Sequence, residues 1–189
     1  IRTLKQKVPK ENGLKYWTWY MDEKGVEYPR KVITKTKKEP SGTRVLKGTY
    51  KAVLNYGNLS SETTISVEND PRLDVNDEAQ KIIYITSKRL ESYLSKATEA
   101  TQQLVQSKKI TETFIKSLKE TDEKRFTQEI EETEQIKGRI EELLVLFFGK
   151  VDERQGITSD PNVSVLERLG TANYYVSTRQ NGVTSTEQT

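Results

Sequence analysis

Polar and apolar residues alternate in short runs as far as Asn69-Asp70-Pro71-Arg72, and beyond it apolar residues return at steps of four and three. The first period is that of an extended strand, the second that of a helix. Gly, Pro, Trp and Tyr punctuate the first part. After Pro71, neither Gly nor Pro appears until Gly138. The pattern predicts an α+β chain of two domains, with strands over 1–70 and helices over 71–189.

In the first part, Lys15, Trp17, Trp19 and Met21 share one face of an extended segment, and Tyr16, Thr18 and Tyr20 share the other. Trp17, Trp19 and Met21 are the core candidates. Pro29 breaks the run, Lys31–Thr36 reads as a short strand, and Lys38–Gly42 reads as a loop. Gly48–Leu54 alternates with Tyr50, Ala52 and Leu54 on one side. Asn55-Tyr56-Gly57-Asn58 then reads as a hairpin loop into Glu62–Val67. Short strands separated by turns argue for an antiparallel β-sandwich. Ile1-Arg2-Thr3-Leu4 resembles mid-strand sequence, so the sandwich is expected to be incomplete.

In the second part, Asn76 is an N-cap, with Asp77 and Glu78 in the first turn where the helix dipole favours them. A seam follows through Ala79, Ile83, Thr86, Leu90, Tyr93, Ala97, Ala100 and Leu104 at coiled-coil spacing, and Phe114, Ile115 and Leu118 extend it. Phe126, Ile130, Ile136, Ile140, Leu143, Leu144 and Phe147 supply a second. A turn within Lys119–Lys124, capped by Thr121 and Asp122, would fold the two seams onto each other; one uninterrupted helix is the alternative. Asp160-Pro161 is expected to open a third helix, with Val165, Leu166, Leu169, Ala172, Tyr175 and Val176 on its apolar face and Asn181-Gly182 at its end. Thr184-Ser185-Thr186-Glu187 has capping-box spacing and is expected to open a fourth helix that is largely missing. The helices together predict an antiparallel bundle, truncated at its C-terminal end.

With 189 residues and 33% hydrophobic composition, two modest cores fit and one large core does not. The 31 basic and 28 acidic residues nearly balance, unlike a disordered tail of one sign. Cys and His are both absent. Thiolate nucleophiles, disulfides and imidazole acid–base pairs are therefore excluded, and zinc or non-haem iron sites lose their usual ligands. No catalytic, cofactor-binding or metal-ligating residue is assigned. No apolar run approaches the roughly 20 residues of a membrane helix.

Three clusters invite chemistry. Tyr16 and Tyr20, on the face opposite the Trp pair, are ligand-facing candidates that could stack on sugar rings. Residues 1–69 carry 14 Lys or Arg against 7 Asp or Glu. Those cations are scattered, without a recognition-helix or RNA-binding motif, and read as solvated surface rather than a nucleic-acid site. Glu129, Glu131, Glu132 and Glu134 read as an exposed helix face, since helical di-iron sites pair Glu with His. Asn58-Leu59-Ser60 and Asn162-Val163-Ser164 match the glycosylation sequon.

Ile1-Arg2-Thr3-Leu4, Gly13-Leu14-Lys15 leading to Trp19, and Gly48–Leu54 resemble the immunoglobulin-like module of flagellar hook-capping proteins and of many secreted bacterial enzymes. Followed by Asp70-Pro71-Arg72-Leu73, Gly156-Ile157-Thr158 and Leu169-Gly170-Thr171-Ala172-Asn173, that half is similar to one particular C-terminal region. It is the tail of large sortilin-like, bacterial-neuraminidase-repeat β-propeller proteins classed as glycosyl hydrolases. Lys15 and Tyr20 stand where such modules often carry Asn and Asp. The resemblance implies a secreted, cell-surface or periplasmic bacterial protein, with the β-propeller upstream in the same polypeptide as this region's partner. On that basis the chain is expected to be a non-catalytic accessory and protein-interaction region. The alternative is a carbohydrate-binding module of a glycoside hydrolase, and a third reading makes it the stabilising appendix of a glycosidase.

Overall fold

A computed structural model of the chain describes residues 1–5, 7, 13–33, 39–150, 163–179 and 182–184. Among them lie four strands and three helices. In order they are β1 (Asp22–Lys24), β2 (Ser41–Arg44), β3 (Gly48–Tyr56), β4 (Leu59–Val67), α1 (Asp77–Asp122), α2 (Thr127–Phe148) and α3 (Val165–Thr178). The chain is α+β, with two two-stranded antiparallel sheets, β1–β2 and β3–β4. It forms two compact units, one of residues 1–26, 37–91 and 174–189, the other of 27–36 and 92–173. The change of period at Asn69–Arg72 marks the passage from β4 to α1, and the units divide further on, within α1.

In the first unit, β3 and β4 pair without interruption from Gly48↔Val67 to Tyr56↔Leu59. The turn is shorter than the predicted loop. Gly57 has φ +58° while Asn58 stays out of the left-handed region, the arrangement of a type II′ turn with glycine first. Tyr50, Ala52, Leu54 and Tyr56 share a face with Ile65, Thr63, Ser61 and Leu59. That face is half-buried at Tyr50 and Ala52 and exposed from Leu54 to the tip. Every β4 residue except Val67 is exposed.

The smaller sheet differs from the sequence expectation. Trp17 and Met21 are not core: they are 40% and 50% exposed. The aromatic run does not pair as a strand; Met21, at φ +57°, turns the chain and β1 begins at Asp22. Only Trp19 packs, with its ring edge-on to Tyr50 at 5.6 Å and Nε1 donating to the Asp22 carbonyl at 2.9 Å. Its partner β2 falls partly where a loop was expected. Pairing there rests on backbone approach rather than apolar alternation, because a Cβ on Gly42 would lie 2.7 Å from the Gly25 Cα. Beneath the sheet, the largely buried Arg2 and Asp22 side chains form an ion pair.

The link into α1 follows the sequence. The Asp70 carboxylate accepts from the Arg72 amide at 3.0 Å and from its guanidinium at 2.9 and 2.6 Å. The Asn76 side chain caps α1 by accepting from the Glu78 and Ala79 amides at 2.9 and 3.2 Å. Asp77 is paired with Lys47 and accepts from Asn69 at 3.1 Å.

In the second unit, the turn between α1 and α2 lies at residues 123–126, slightly later than predicted. Thr121 does not cap a new helix. Its hydroxyl bonds back to the Ser117 carbonyl at 2.8 Å, so α1 continues to Asp122. Asp122 does cap the turn, accepting from the Arg125 amide at 3.1 Å. Lys108 and Glu141, each fourteen residues from its helix's end at the turn, pair at 2.8 Å and set α2 antiparallel to the end of α1.

The buried stripe of α1 is rotated from the predicted seam. Ala79, Ala97 and Ile115 are buried as expected, but Tyr93 and Phe114 are exposed, and Leu94, Thr98 and Thr101 take the interior. An apolar count misses the threonines because their hydroxyls are satisfied within the helix. Thr98 Oγ1 donates to a carbonyl and lies 2.8 Å from Leu94 O and 2.6 Å from Glu27 O; Thr101 Oγ1 lies 2.9 Å from Ala97 O. On α2, Ile130 and Ile140 are buried with Thr133, whereas Ile136 and Leu143 face out.

α3 starts at Val165 behind a Ser164 cap, whose Oγ accepts from the Glu167 amide at 3.2 Å. Val176 on its face is fully buried, Leu166, Leu169 and Ala172 are half-buried, and Val165 and Tyr175 are exposed. Thr34–Thr36 of the predicted short strand, the proposed Asp160-Pro161 start, Asn162, Asn181 and the Ser185–Thr189 part of the fourth helix lie outside the described residues.

Candidate functional site

Tyr16 and Tyr20 are 78% and 73% exposed, as a ligand-facing role requires. The structure does not gather them into a pocket. Neither ring stacks on another described aromatic; the described ring pairs are Trp19–Tyr50 and Tyr174–Tyr175. They form an open surface rather than an enclosed site.

The most convergent polar arrangement lies in the first unit, on residues that the sequence reading passed over. Tyr84, Lys88 and Glu91 recur at steps of four and three along α1, so they share one helix face. Glu23 of β1 meets that face: Tyr84 donates its hydroxyl to Glu23 Oε1 at 2.6 Å, and Lys88 Nζ reaches Glu23 Oε2 at 3.1 Å. Lys88 also pairs with Glu91 at 2.6 Å. Glu91 in turn accepts from the Thr43 amide of β2 at 2.7 Å and from the Thr43 hydroxyl at 2.8 Å. Both strands of the small sheet are thus tied to about two turns of one helix.

The electrostatics decide what this cluster can do. Burial alone would push the Glu23 carboxyl up, but hydrogen bonds from Tyr84 and Lys88 outweigh it and hold the group below its usual range. Burial would depress Lys88, yet Glu91 and Glu23 raise it above an ordinary lysine. Tyr84 is raised chiefly by its hydrogen bond to Glu23, with burial adding to it. Near neutral pH the carboxylate is ionised, the amine charged and the phenol protonated. Lys88 and Tyr84 are thus held in their protonated forms, and the ionised Glu23 carboxylate has its basicity lowered and both oxygens engaged by Tyr84 and Lys88. The arrangement is a clasp fastening β1 and β2 to α1.

An open groove between α1 and α2 is lined by Glu112, Ile115, Lys116, Lys119, Glu120, Glu134 and Lys137. Its charges answer one another, with Lys137–Glu134 at 3.3 Å and Lys116–Glu120 at 3.7 Å. Glu129, Glu131, Glu132 and Glu134 are exposed, and among the described residues no group of three or more metal-ligating side chains is gathered. No described helix is long and apolar enough to cross a membrane.

The clasp left little trace in the sequence. The spacing of Tyr84, Lys88 and Glu91 marks a polar face, but Glu23 lies 61 residues before Tyr84 and Thr43 lies 48 before Glu91. Comparison with protein-family models, with curated proteins and with solved structures returns no significant match.

Proposed function

We propose that the chain is a non-catalytic accessory and scaffolding region of a larger secreted bacterial β-propeller protein, acting at the cell surface or in the periplasm. In this reading its strands belong to an immunoglobulin-like sandwich and its helices to an antiparallel bundle. Its work is to brace the propeller and present a protein-binding surface. The observation that carries the reading is the exposure of large apolar side chains on long regular helices, with Ile110 of α1 at 62% and Leu146 of α2 at 61%. Apolar positions on rigid elements are what a docking surface supplies. The purified chain is expected to bind the separately produced propeller portion saturably and to turn over no glycoside or peptide. Hydrolysis by the purified chain would overturn the reading.

A second reading, a carbohydrate-binding module, is favoured by the exposure of Tyr16 and Tyr20. It predicts retention on a glycan panel that Tyr20→Ala abolishes without loss of folding. Unchanged retention in that variant would refute it.

A further inference from the structure

The two-residue turn makes Tyr56↔Leu59 a hydrogen-bonded pair, and the pattern alternates from there. Leu59, Ser61, Thr63, Ile65 and Val67 therefore turn their backbone groups to β3. Those of Ser60, Glu62, Thr64 and Ser66 point away, to the outer edge of β4. Among the described residues no strand pairs with that edge, and no loop or turn hydrogen bond reaches it. Exposed edges are normally blunted by lysine, proline, a bulge or a covering segment. β4 has an unbroken register, neither Lys nor Pro, and Glu62 as its sole charge.

The sequence of this edge reads nearly alike in both directions about Thr63. Leu59 answers Val67 and Ser60 answers Ser66; Glu62 and Thr64 are both polar but only Glu62 is charged, and Ser61 and Ile65 differ in kind. Set antiparallel against itself at that centre, the strand places Leu59 on Val67, Ser60 on Ser66 and Thr63 on Thr63, with Glu62 opposite the Thr64 hydroxyl and Ser61 opposite Ile65. No carboxylate faces another. Centring on Glu62 instead would set two carboxylates directly opposite, and a half-step shift would face outward groups with inward ones.

We propose that β4 is a homotypic pairing edge: two copies of this chain join β4 to β4, antiparallel about Thr63, in one four-stranded sheet. The pairs Ser60–Ser66 and Glu62–Thr64, each formed twice, supply about eight backbone hydrogen bonds. The apolar faces around Tyr50, Leu54 and Tyr56 become one wider surface. A two-stranded sheet alone is marginal in water, and the added strands remove that weakness.

Because the chain has no cysteine, a single introduced one reports the contact. Thr63 faces its own copy as a non-hydrogen-bonded pair with Cα atoms about 4.5 Å apart, within disulfide reach. Thr63→Cys should become a covalent dimer under mild oxidation, while Val53→Cys on β3 stays monomeric. Sedimentation of the unmodified full chain should show a concentration-dependent dimer with a dissociation constant on the order of 10–100 μM. Thr64→Glu should weaken it at least ~10-fold without changing the far-ultraviolet spectrum, because the new carboxylate faces Lys51 within the hairpin but Glu62 across the interface. A chain that stays monomeric at about 1 mM would overturn the proposal, given the affinity expected of such an edge. So would equal cross-linking of the two cysteine variants, assembly unaffected by Thr64→Glu, or pairing of β4 only with a different protein.

Discussion

Replacing Glu91 with alanine removes three contacts at once: the Thr43 amide at 2.7 Å, the Thr43 hydroxyl at 2.8 Å and Lys88 at 2.6 Å. The Glu91 side chain is 16% exposed, so water compensates only in part. Lys88 keeps Glu23 at 3.1 Å, which softens that loss. The Thr43 amide has no such reserve, and an unpaired donor that is half-buried here costs about 1–3 kcal/mol. Together the expected loss is about 2–4 kcal/mol, or roughly 5–15 °C in the thermal midpoint of a chain this size. Urea denaturation followed by tryptophan fluorescence reads the loss, since Trp19 sits in the same unit. Glu91→Gln retains an acceptor for Thr43 and should lose only about 1 kcal/mol. Amide exchange at Thr43 should accelerate in the alanine variant and stay near normal in the glutamine variant. A loss below about 0.5 kcal/mol for Glu91→Ala, with Thr43 still protected, would show that the clasp holds nothing.

The clasp should also set the pH limits of the first unit. Glu23 lies below its unfolded value, so its contribution is present above that value and disappears as pH falls through the folded one. Lys88 and Tyr84 lie above theirs, so their contributions are complete below the unfolded values and disappear as pH rises through the folded ones. Urea midpoints measured against pH should therefore fall on both sides, and Glu23→Gln should flatten the acid side; an unchanged acid limb would refute the assignment. Gly42→Ala would drive a Cβ into the Gly25 backbone and should cost more than about 2 kcal/mol in urea unfolding. Gly138→Ala, in open space on α2, should instead stabilise by about 0.5–1 kcal/mol in the same measurement. Val176→Ala empties a fully buried position on α3 and should cost about 1–3 kcal/mol by thermal unfolding.

Local signals in the sequence carried the elements that local physics controls. Alternation at Gly48–Leu54, glycine at the turn, the Asn76 cap and the four-and-three spacing of α1 each correspond to a feature of the fold. What escaped depends on distant partners or on polar interiors. β1 is Asp-Glu-Lys, with no apolar alternation, and exists because Gly25 and Gly42 let two backbones approach. The α1 stripe shifted because Thr98 and Thr101 bury hydroxyls that the helix itself satisfies. Trp17 and Met21 looked like core by residue type, but Met21 turns the chain before their face can pair. Tyr16 and Tyr20 are exposed, but so are Trp17 and Met21, so the run does not sort into the two faces that alternation implied. The clasp, built from three segments far apart in sequence, had no local signature.

The central claim is that this region works by docking on protein. Hydrogen exchange compared between the chain alone and the chain mixed with the propeller portion proposed as its partner tests it most directly. The account predicts added protection on the outward faces of α1 and α2, around Ile110, Phe114, Ile136 and Leu146, which are exposed in the chain alone. Identical exchange on those faces in both contexts would contradict it.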